Sequence, residues 1–218
     1  MRNVFTEYLG SVILALAVVG SGVMATNLTS DVGIQLLVNA SATAAILWLI
    51  INCFADISGA HFNPVVSLIG RIRGELSSSE VFQYVSAQIF GAISGTVIAH
   101  ALFDLNIFEI SHHSRDGWNL LVSEFVATAG LVFIIFQFNF QGKVKKIPVA
   151  VASWIFAAYF FTSSTSFANP AITIGRIFTD TFSGIAPHSA AIFIPIQIIA
   201  SLAGYFLATS LRTKEKSK

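Results

Sequence analysis

The chain has 218 residues, of which 55% are apolar and only 11% are charged, and its formal net charge is +1. This composition excludes an ordinary soluble domain, because so few charged side chains cannot supply the polar shell that a soluble core needs. No basic stripe interleaved with aromatic residues points to a nucleic-acid partner, and the lone Cys53 excludes a disulfide framework and a zinc-ligand spacing. We therefore expect a multi-pass membrane protein surrounded by lipid.

Six apolar segments are long enough to cross about 30 Å of hydrocarbon as helices. The first carries Glu7 near its start and is followed by further spans, so we interpret it as an uncleaved helix rather than a signal peptide. The sequence thus predicts an all-α membrane protein. The six segments, in chain order, are 5–26, 34–56, 80–103, 118–140, 147–166 and 187–211.

Two shorter stretches, 63–73 and 170–181, follow the second and the fifth span. A helix of about ten residues rises roughly 15 Å, which is half a bilayer. Asn-Pro stands at the start of each stretch, with Asn169 directly before the second, and these are good residues for the cap and the first position of a helix. Paired, interrupted half-segments predict two re-entrant half-helices whose N-termini meet near the midplane at a conduction or binding site. The two tripeptides are Asn63-Pro64-Val65 and Asn169-Pro170-Ala171.

The two halves of the chain look like copies of one another. Glu7 opens the first span and Glu124 opens the fourth at the matching place, while Gln88 and Gln197 follow the two Asn residues at similar distances. Three spans in each half force the halves into opposite orientations, which gives an inverted repeat. We expect one transmembrane channel domain over 1–218, with repeats at 1–105 and 117–212 and a basic cytoplasmic tail at 212–218.

Lysine and arginine are unevenly distributed between the two sides of the predicted membrane. With the N-terminus in the cytoplasm, only Arg115 and Arg176 lie on the other side. The positive-inside rule then predicts that both termini are cytoplasmic. We expect the protein to lie in the cell (inner) membrane. The residues on the cytoplasmic side are Arg2, Arg71, Arg73, Lys143, Lys145, Lys146, Arg212, Lys214, Lys216 and Lys218.

Two motifs carry a family resemblance. Ser58-Gly59-Ala60-His61-Phe62-Asn63-Pro64-Val65-Val66 resembles the first signature of the aquaporin and aquaglyceroporin (major intrinsic protein) family, and Phe167-Ala168-Asn169-Pro170-Ala171 resembles the second. Val65 replaces the usual Ala of the first motif. The resemblance covers essentially the whole chain. It implies six transmembrane helices plus two re-entrant half-helices, a homotetramer with one pore per subunit, small neutral solutes as partners, and no cofactor, metal or catalytic residue.

The resemblance also implies roles for particular residues. Glu7 and Glu124 would be buried and would accept hydrogen bonds from the two re-entrant loops. Backbone carbonyls would form an acceptor ladder along the pore, where a backbone that approaches the solute closely favours small residues. These carbonyls belong to Gly59, Ala60, His61, Ser164, Thr165, Ser166 and Phe167.

The narrowest part of the family's pore corresponds to four positions here, and the chain departs from the family pattern at this point. The third residue after the second Asn is normally Arg, and this sequence has Ile172. The constriction therefore lacks its fixed guanidinium and its donors. With no aromatic residue or histidine at these positions, we expect a wide, weakly polar opening. The four residues are Thr43, Ala157, Ser166 and Ile172.

Arg176 lies one helical turn beyond Ile172 and leaves two interpretations open. It could share the pore-lining face and partly replace the missing charge, but the commoner arrangement is a loop arginine paired with a neighbour such as Asp180. The stretch 175–187 also resembles an Arg-less bacterial subgroup that is associated with arsenic resistance. That resemblance implies passage of neutral metalloid acids such as arsenite.

Two further alternatives concern function and packing. A coupled secondary transporter also uses inverted repeats and broken helices, but it needs ionisable groups along its path, for which the candidates are Glu7, Glu124 and Asp56. No set of residues suggests an enzyme, and a passive channel is the leading hypothesis. The Gly91-x-x-x-Gly95 motif predicts close helix packing, either within a subunit or between subunits.

Overall fold

The computed structural model describes residues 1–212, which fold into eight α-helices. Six of these helices are long and apolar enough to cross a membrane. The predicted all-α membrane fold is confirmed, whereas Lys214, Lys216 and Lys218 of the predicted tail lie outside the described residues. The helices are α1 (Arg2–Leu28), α2 (Val32–Ser58), α3 (Pro64–Ile72), α4 (Ser78–Leu102), α5 (Trp118–Phe140), α6 (Ile147–Phe161), α7 (Pro170–Gly175) and α8 (Pro187–Ser210).

The order of long and short helices is the same in the two halves. A short helix, α3 or α7, follows the second long helix of each half and is joined to it by a loop that turns back into the bundle. An even number of crossings brings both ends of the described chain to one face, which we call the terminal face. The loops 103–117 and 179–186 lie at the opposite face, which we call the far face.

The second half differs from the sequence-based boundaries near its half-helix. The fifth span was predicted to reach residue 166, but α6 ends at Phe161 because Thr162 is extended and Thr165, Ser166 and Ala168 have positive φ angles. The second half-helix was predicted over 170–181. It consists of α7 followed by a single 3₁₀ turn, Arg176–Phe178. The re-entrant loop is thus longer, and its helix shorter, than apolarity alone suggested.

Close helix packing holds each half of the bundle together. A Cβ atom added at Gly91 would lie 2.4 Å from the carbonyl oxygen of Tyr8, and one added at Gly95 would lie 2.3 Å from that of Val12. Gly204 of α8 is equally close to Ala129 of α5, where an added Cβ would lie 2.1 Å from the carbonyl oxygen. The Gly91-x-x-x-Gly95 motif is therefore buried between α1 and α4 of the same subunit.

Replacing Gly95 with Ala should destabilise the bundle, because the added methyl group meets backbone rather than a flexible side chain. We expect a loss of about 1–3 kcal/mol in the free energy of unfolding, measured as a lower melting temperature in detergent. Gly20→Ala is the matched control, since its added Cβ would lie 3.4 Å from the nearest side-chain atom. Equal melting temperatures for the two variants would contradict this packing.

Candidate solute pathway

The N-termini of α3 and α7 meet inside the bundle through their two asparagines. The side-chain oxygen of Asn63 caps α3 by accepting from the Val65 N–H at 3.1 Å, and that of Asn169 caps α7 by accepting from the Ala171 N–H at 3.0 Å. Each amide nitrogen also donates across the junction at 2.8 Å, from Asn63 to the carbonyl of Ala168 and from Asn169 to that of Phe62. Each amide therefore keeps a second N–H for whatever passes the junction.

Both asparagines line a continuous cavity of about 310 Å³ that extends toward both faces. Much of its wall is apolar, and residues four positions apart on one helix supply it, which is the spacing of a single helix face. Such a wall offers little to hold a polar solute, so the few polar groups along it decide what can pass. The apolar residues include Leu14, Val18, Leu47, Ile51, Leu131, Ile135, Val151 and Ile155.

The buried carboxylate of Glu7 holds the first re-entrant loop. It accepts hydrogen bonds from the backbone N–H groups of His61 and Phe62 at 3.0 and 2.7 Å. The side chains of Ser58 and Gln88 donate to it at 2.6 and 2.7 Å. Four donors compensate for the cost of burying a charged group, since hydrogen bonds to a carboxylate are stronger than those between neutral groups.

Glu124 holds the second re-entrant loop in the same way. It accepts from the N–H groups of Phe167 and Ala168 at 2.9 and 3.0 Å, and from the Gln197 amide at 2.8 Å. The Gln197 amide also donates to the Thr173 hydroxyl at 3.0 Å. In the first half, Gln88 similarly donates to the Ser67 hydroxyl at 3.0 Å. The same pattern of hydrogen bonds, from a re-entrant loop and a glutamine to a buried carboxylate, therefore occurs in both halves.

The re-entrant backbone approaches the cavity in an unusual conformation. Ala60 and Phe62 before the first Asn have φ angles of 50° and 47°, and Ser166 and Ala168 before the second have 54° and 46°. This left-handed region is costly for residues with a Cβ atom. The hydrogen bonds to the two buried carboxylates must therefore offset the cost of these backbone conformations. Gly59, Ala60, His61, Ser166 and Phe167 of the expected ladder line the cavity, whereas Ser164 and Thr165 are not part of the described lining.

The four residues expected at the constriction do not all reach the cavity. Thr43, Ser166 and Ile172 line it, but Ala157 is exposed on the outer surface of α6. Tyr159 occupies the place on the cavity wall instead, and its hydroxyl lies 3.2 Å from that of Thr43. Two positions along an α-helix rotate a side chain by roughly 200°, so counting along the chain selected the wrong face. The expectation for Ala157 was wrong, and the wall carries an aromatic ring that the sequence analysis missed.

Arg176 lies at the far-face end of the cavity and is only 3% exposed. Its guanidinium lies over the ring of Phe167, 3.4 Å from the ring centre, and its Nε donates to the carbonyl of Ser183. It makes no ion pair with Asp180, whose carboxylate faces His112 and His113 at 3.2 and 3.6 Å. The interpretation of Arg176 as a loop residue paired with Asp180 was therefore wrong.

Two aspartates at the far face, Asp116 and Asp180, form hydrogen bonds with groups other than Arg176. The hydrogen bonds from Ser114, Ser189 and His188 lower the pKa of Asp116 to about 2. The backbone N–H of His112 is the largest cause that lowers the pKa of Asp180. Both carboxylates are therefore ionised at neutral pH, and neither neutralises Arg176. At the terminal-face end of the cavity, the lining includes Asp56 and Glu75.

Six membrane-spanning helices, with two half-helices meeting at a central cavity, define a membrane channel. The family model described as Major intrinsic protein matches residues 1–160. The chain belongs to the major intrinsic protein family and is a passive channel for small neutral solutes, as its sequence motifs predicted.

Individual relatives agree with this assignment. The chain is 44% identical over 210 residues to aquaglyceroporin AqpS of Rhizobium meliloti (strain 1021), covering 96% of this chain and 88% of that protein. It is 24% identical over 212 residues to aquaporin-4 of Mus musculus, covering 94% of this chain and 61% of that protein. The X-ray structure of the aquaglyceroporin from Plasmodium falciparum matches with a TM-score of 0.69 and 18% identity, over 95% of this chain and 93% of that chain. This last match shows a shared fold.

Replacing Glu124 with Gln should weaken the second half of the bundle. An amide offers one acceptor oxygen and turns an NH₂ group toward groups that are themselves donors, so we expect a loss of about 3 kcal/mol, measured as a lower melting temperature in detergent. Glu109→Gln is the control, since Glu109 is exposed in the far-face loop. A Glu124→Gln protein as stable as wild type would show that the carboxylate does not hold the loop.

Proposed function

We propose that this channel conducts glycerol-like polyols and neutral trihydroxy metalloid acids such as arsenite, together with water. One observation carries the proposal: Ile172 lies on the cavity wall, and the family resemblance implies that this is the position where the narrow filter has an arginine. An apolar side chain there neither donates hydrogen bonds nor holds a fixed charge. A solute with a carbon backbone can therefore rest against it while its hydroxyl groups face elsewhere.

Hydroxyl groups on the remaining wall support the same choice of solute. Tyr159 and Thr43 place two hydroxyls within 3.2 Å of one another, and the buried Ser166 hydroxyl has no hydrogen-bond partner within the described chain. Hydroxyls both donate and accept, so they can exchange hydrogen bonds with a solute as it loses its water shell. The proposed constriction is thus Thr43, Tyr159, Ser166 and Ile172, with one apolar side and one hydroxyl-lined side.

The relative of highest identity reported above, AqpS, is named an aquaglyceroporin, and the resemblance of 175–187 to the arsenic-associated subgroup supports arsenite as a solute. Arsenite at neutral pH is an uncharged trihydroxy acid with a shape similar to that of glycerol. We further propose a homotetramer in the inner membrane with both termini in the cytoplasm and no catalytic activity, as the family resemblance and the distribution of Lys and Arg suggest. The mass of the detergent-solubilised protein tests the tetramer.

Flux measurements on proteoliposomes test the proposed solutes. Stopped-flow light scattering should show entry of water and glycerol. Arsenite uptake into the same proteoliposomes should exceed that into protein-free liposomes. A passive channel gives flux that is linear in solute concentration and indifferent to proton or sodium gradients. Saturable flux driven by an ion gradient would instead identify a coupled transporter, and absence of glycerol flux with intact water flux would overturn the proposed solute class.

Replacing Tyr159 with Ala should widen the proposed constriction, because the ring is only 3% exposed and faces the cavity. We expect a several-fold increase in the flux of a four- or five-carbon polyol relative to glycerol. Ala157→Leu enlarges the neighbouring position that faces outward, and it should leave the ratio unchanged. If the Ala157 variant alters the ratio and the Tyr159 variant does not, the constriction has been assigned to the wrong face of α6.

A further inference from the structure

We propose that Arg176 supplies the fixed positive charge that excludes cations from this pathway, and that Arg115 positions it from the far-face loop. The inference rests on the proposed channel function. It also separates two properties along the pathway. The constriction around Ile172 selects by size, and a guanidinium one helical turn farther out selects by charge.

The Arg176 side chain is presented to the cavity rather than to a protein partner. Only its Nε nitrogen is occupied, by the carbonyl of Ser183, and the Phe167 ring covers one side of the guanidinium plane. Its two terminal nitrogens have no hydrogen-bond partner within residues 1–212, and the residue is part of the cavity lining. These N–H groups are therefore available to a solute that enters from the far face.

The charge of Arg176 is not neutralised by an ion pair. No carboxylate lies within 4 Å of its guanidinium in the described part of the chain. Asp116 and Asp180 face histidines and backbone N–H groups, and Glu124 accepts from the second re-entrant loop. Asp104 and Glu109, the other acidic residues of loop 103–117, are exposed. A buried charge in surroundings of low dielectric constant acts strongly on an approaching ion, because it is screened much less than an exposed charge.

Arg115 fixes the segment that holds Arg176. Its Nε donates to the carbonyl of Gly184 at 2.9 Å and its Nη2 to the carbonyl of Phe182 at 3.5 Å, on either side of the Ser183 carbonyl that Arg176 uses. Its own backbone N–H donates to the Ser189 hydroxyl at 2.9 Å, which ties loop 103–117 to the start of α8. Arg115 is not part of the cavity lining, so it acts through this segment as a positioning residue.

The Phe167 ring lies close to both guanidiniums, and this explains how two positive charges can lie near one another. The guanidinium of Arg115 lies 5.0 Å from the centre of the Phe167 ring, which Arg176 covers at 3.4 Å. The electron-rich faces of an aromatic ring attract cations, which partly offsets the repulsion between the two arginines. Phe167 directly precedes Ala168 and Asn169, so the charge is anchored to the loop that forms the pore junction.

Arg176→Gln tests the charge in proteoliposomes that are assayed for glycerol flux and for potassium conductance. The ratio of potassium conductance to glycerol flux should rise about tenfold, because a fixed positive charge at the pathway is removed. Arg176→Lys should retain most of the exclusion. Arg2→Gln, on the terminal face, is the matched control for loss of one positive charge and should change neither quantity.

Rescue separates a charge role from a structural one. Adding Ile172→Arg to Arg176→Gln returns a guanidinium to the pathway and should restore low potassium conductance. Ile172→Arg alone should reduce glycerol flux while water flux persists, since two guanidiniums then narrow the passage. Arg115→Gln should raise potassium conductance less than Arg176→Gln does, and adding it to Arg176→Gln should cause no further rise.

The outcomes distinguish this inference from the proposed function. Wild-type potassium conductance in Arg176→Gln, with glycerol flux intact, overturns the charge role and leaves the channel assignment untouched. Absence of glycerol flux in wild type overturns the proposed solutes instead. If Arg176→Gln does not fold, as judged by gel filtration, the Arg176→Lys and Arg115→Gln variants decide the matter, and wild-type conductance in Arg115→Gln then counts against the proposal.

Discussion

The pathway depends on two buried carboxylates that hold irregular backbone inside a membrane bundle. Glu7 and Glu124 each accept consecutive N–H groups from the loop that precedes an Asn-Pro pair. Without water, those N–H groups would have no other partner at this depth, and each unsatisfied group would cost several kcal/mol. The loops can therefore keep their left-handed residues and expose backbone to the cavity only because the carboxylates are there.

The junction between the half-helices follows from these anchors. Once both loops are fixed, Asn63 and Asn169 can each cap a helix and cross-link to the opposite loop. The two positive helix ends then meet at the centre of the cavity, where they disfavour cations. The contribution of a helix end is modest and falls off within one turn. In our proposal, the guanidinium of Arg176 adds a full charge farther out on the same pathway.

Sequence reasoning succeeded where the determinant is local and failed where it depends on how a helix is rotated. The six spans, the Asn-Pro starts and the family assignment follow from residues close together in the chain. Ala157 was misassigned because the distance from a motif does not fix which face of α6 points inward. For Arg176 the sequence left two interpretations open, because its partner, the Ser183 carbonyl, becomes available only through the folding of segment 176–186 and the contacts of Arg115. A four-residue spacing along α6, from Val151 through Ile155 to Tyr159, was the signal that could have identified the lining tyrosine.

The sequence by itself determined the class of protein. The lengths of the apolar segments, the two Asn-Pro helix caps and the repeated acidic residues can all be recognised from residues close together in the chain. Through the family resemblance, it also gave the expectation that Ile172 stands where the family's filter has an arginine. Only the tertiary structure decided which side chains meet at the cavity, since burial inside a bundle depends on the rotation of each helix against its neighbours. The position of the Arg176 guanidinium was decided in the same way, by a carbonyl, an aromatic ring and a second arginine that come together from distant parts of the chain.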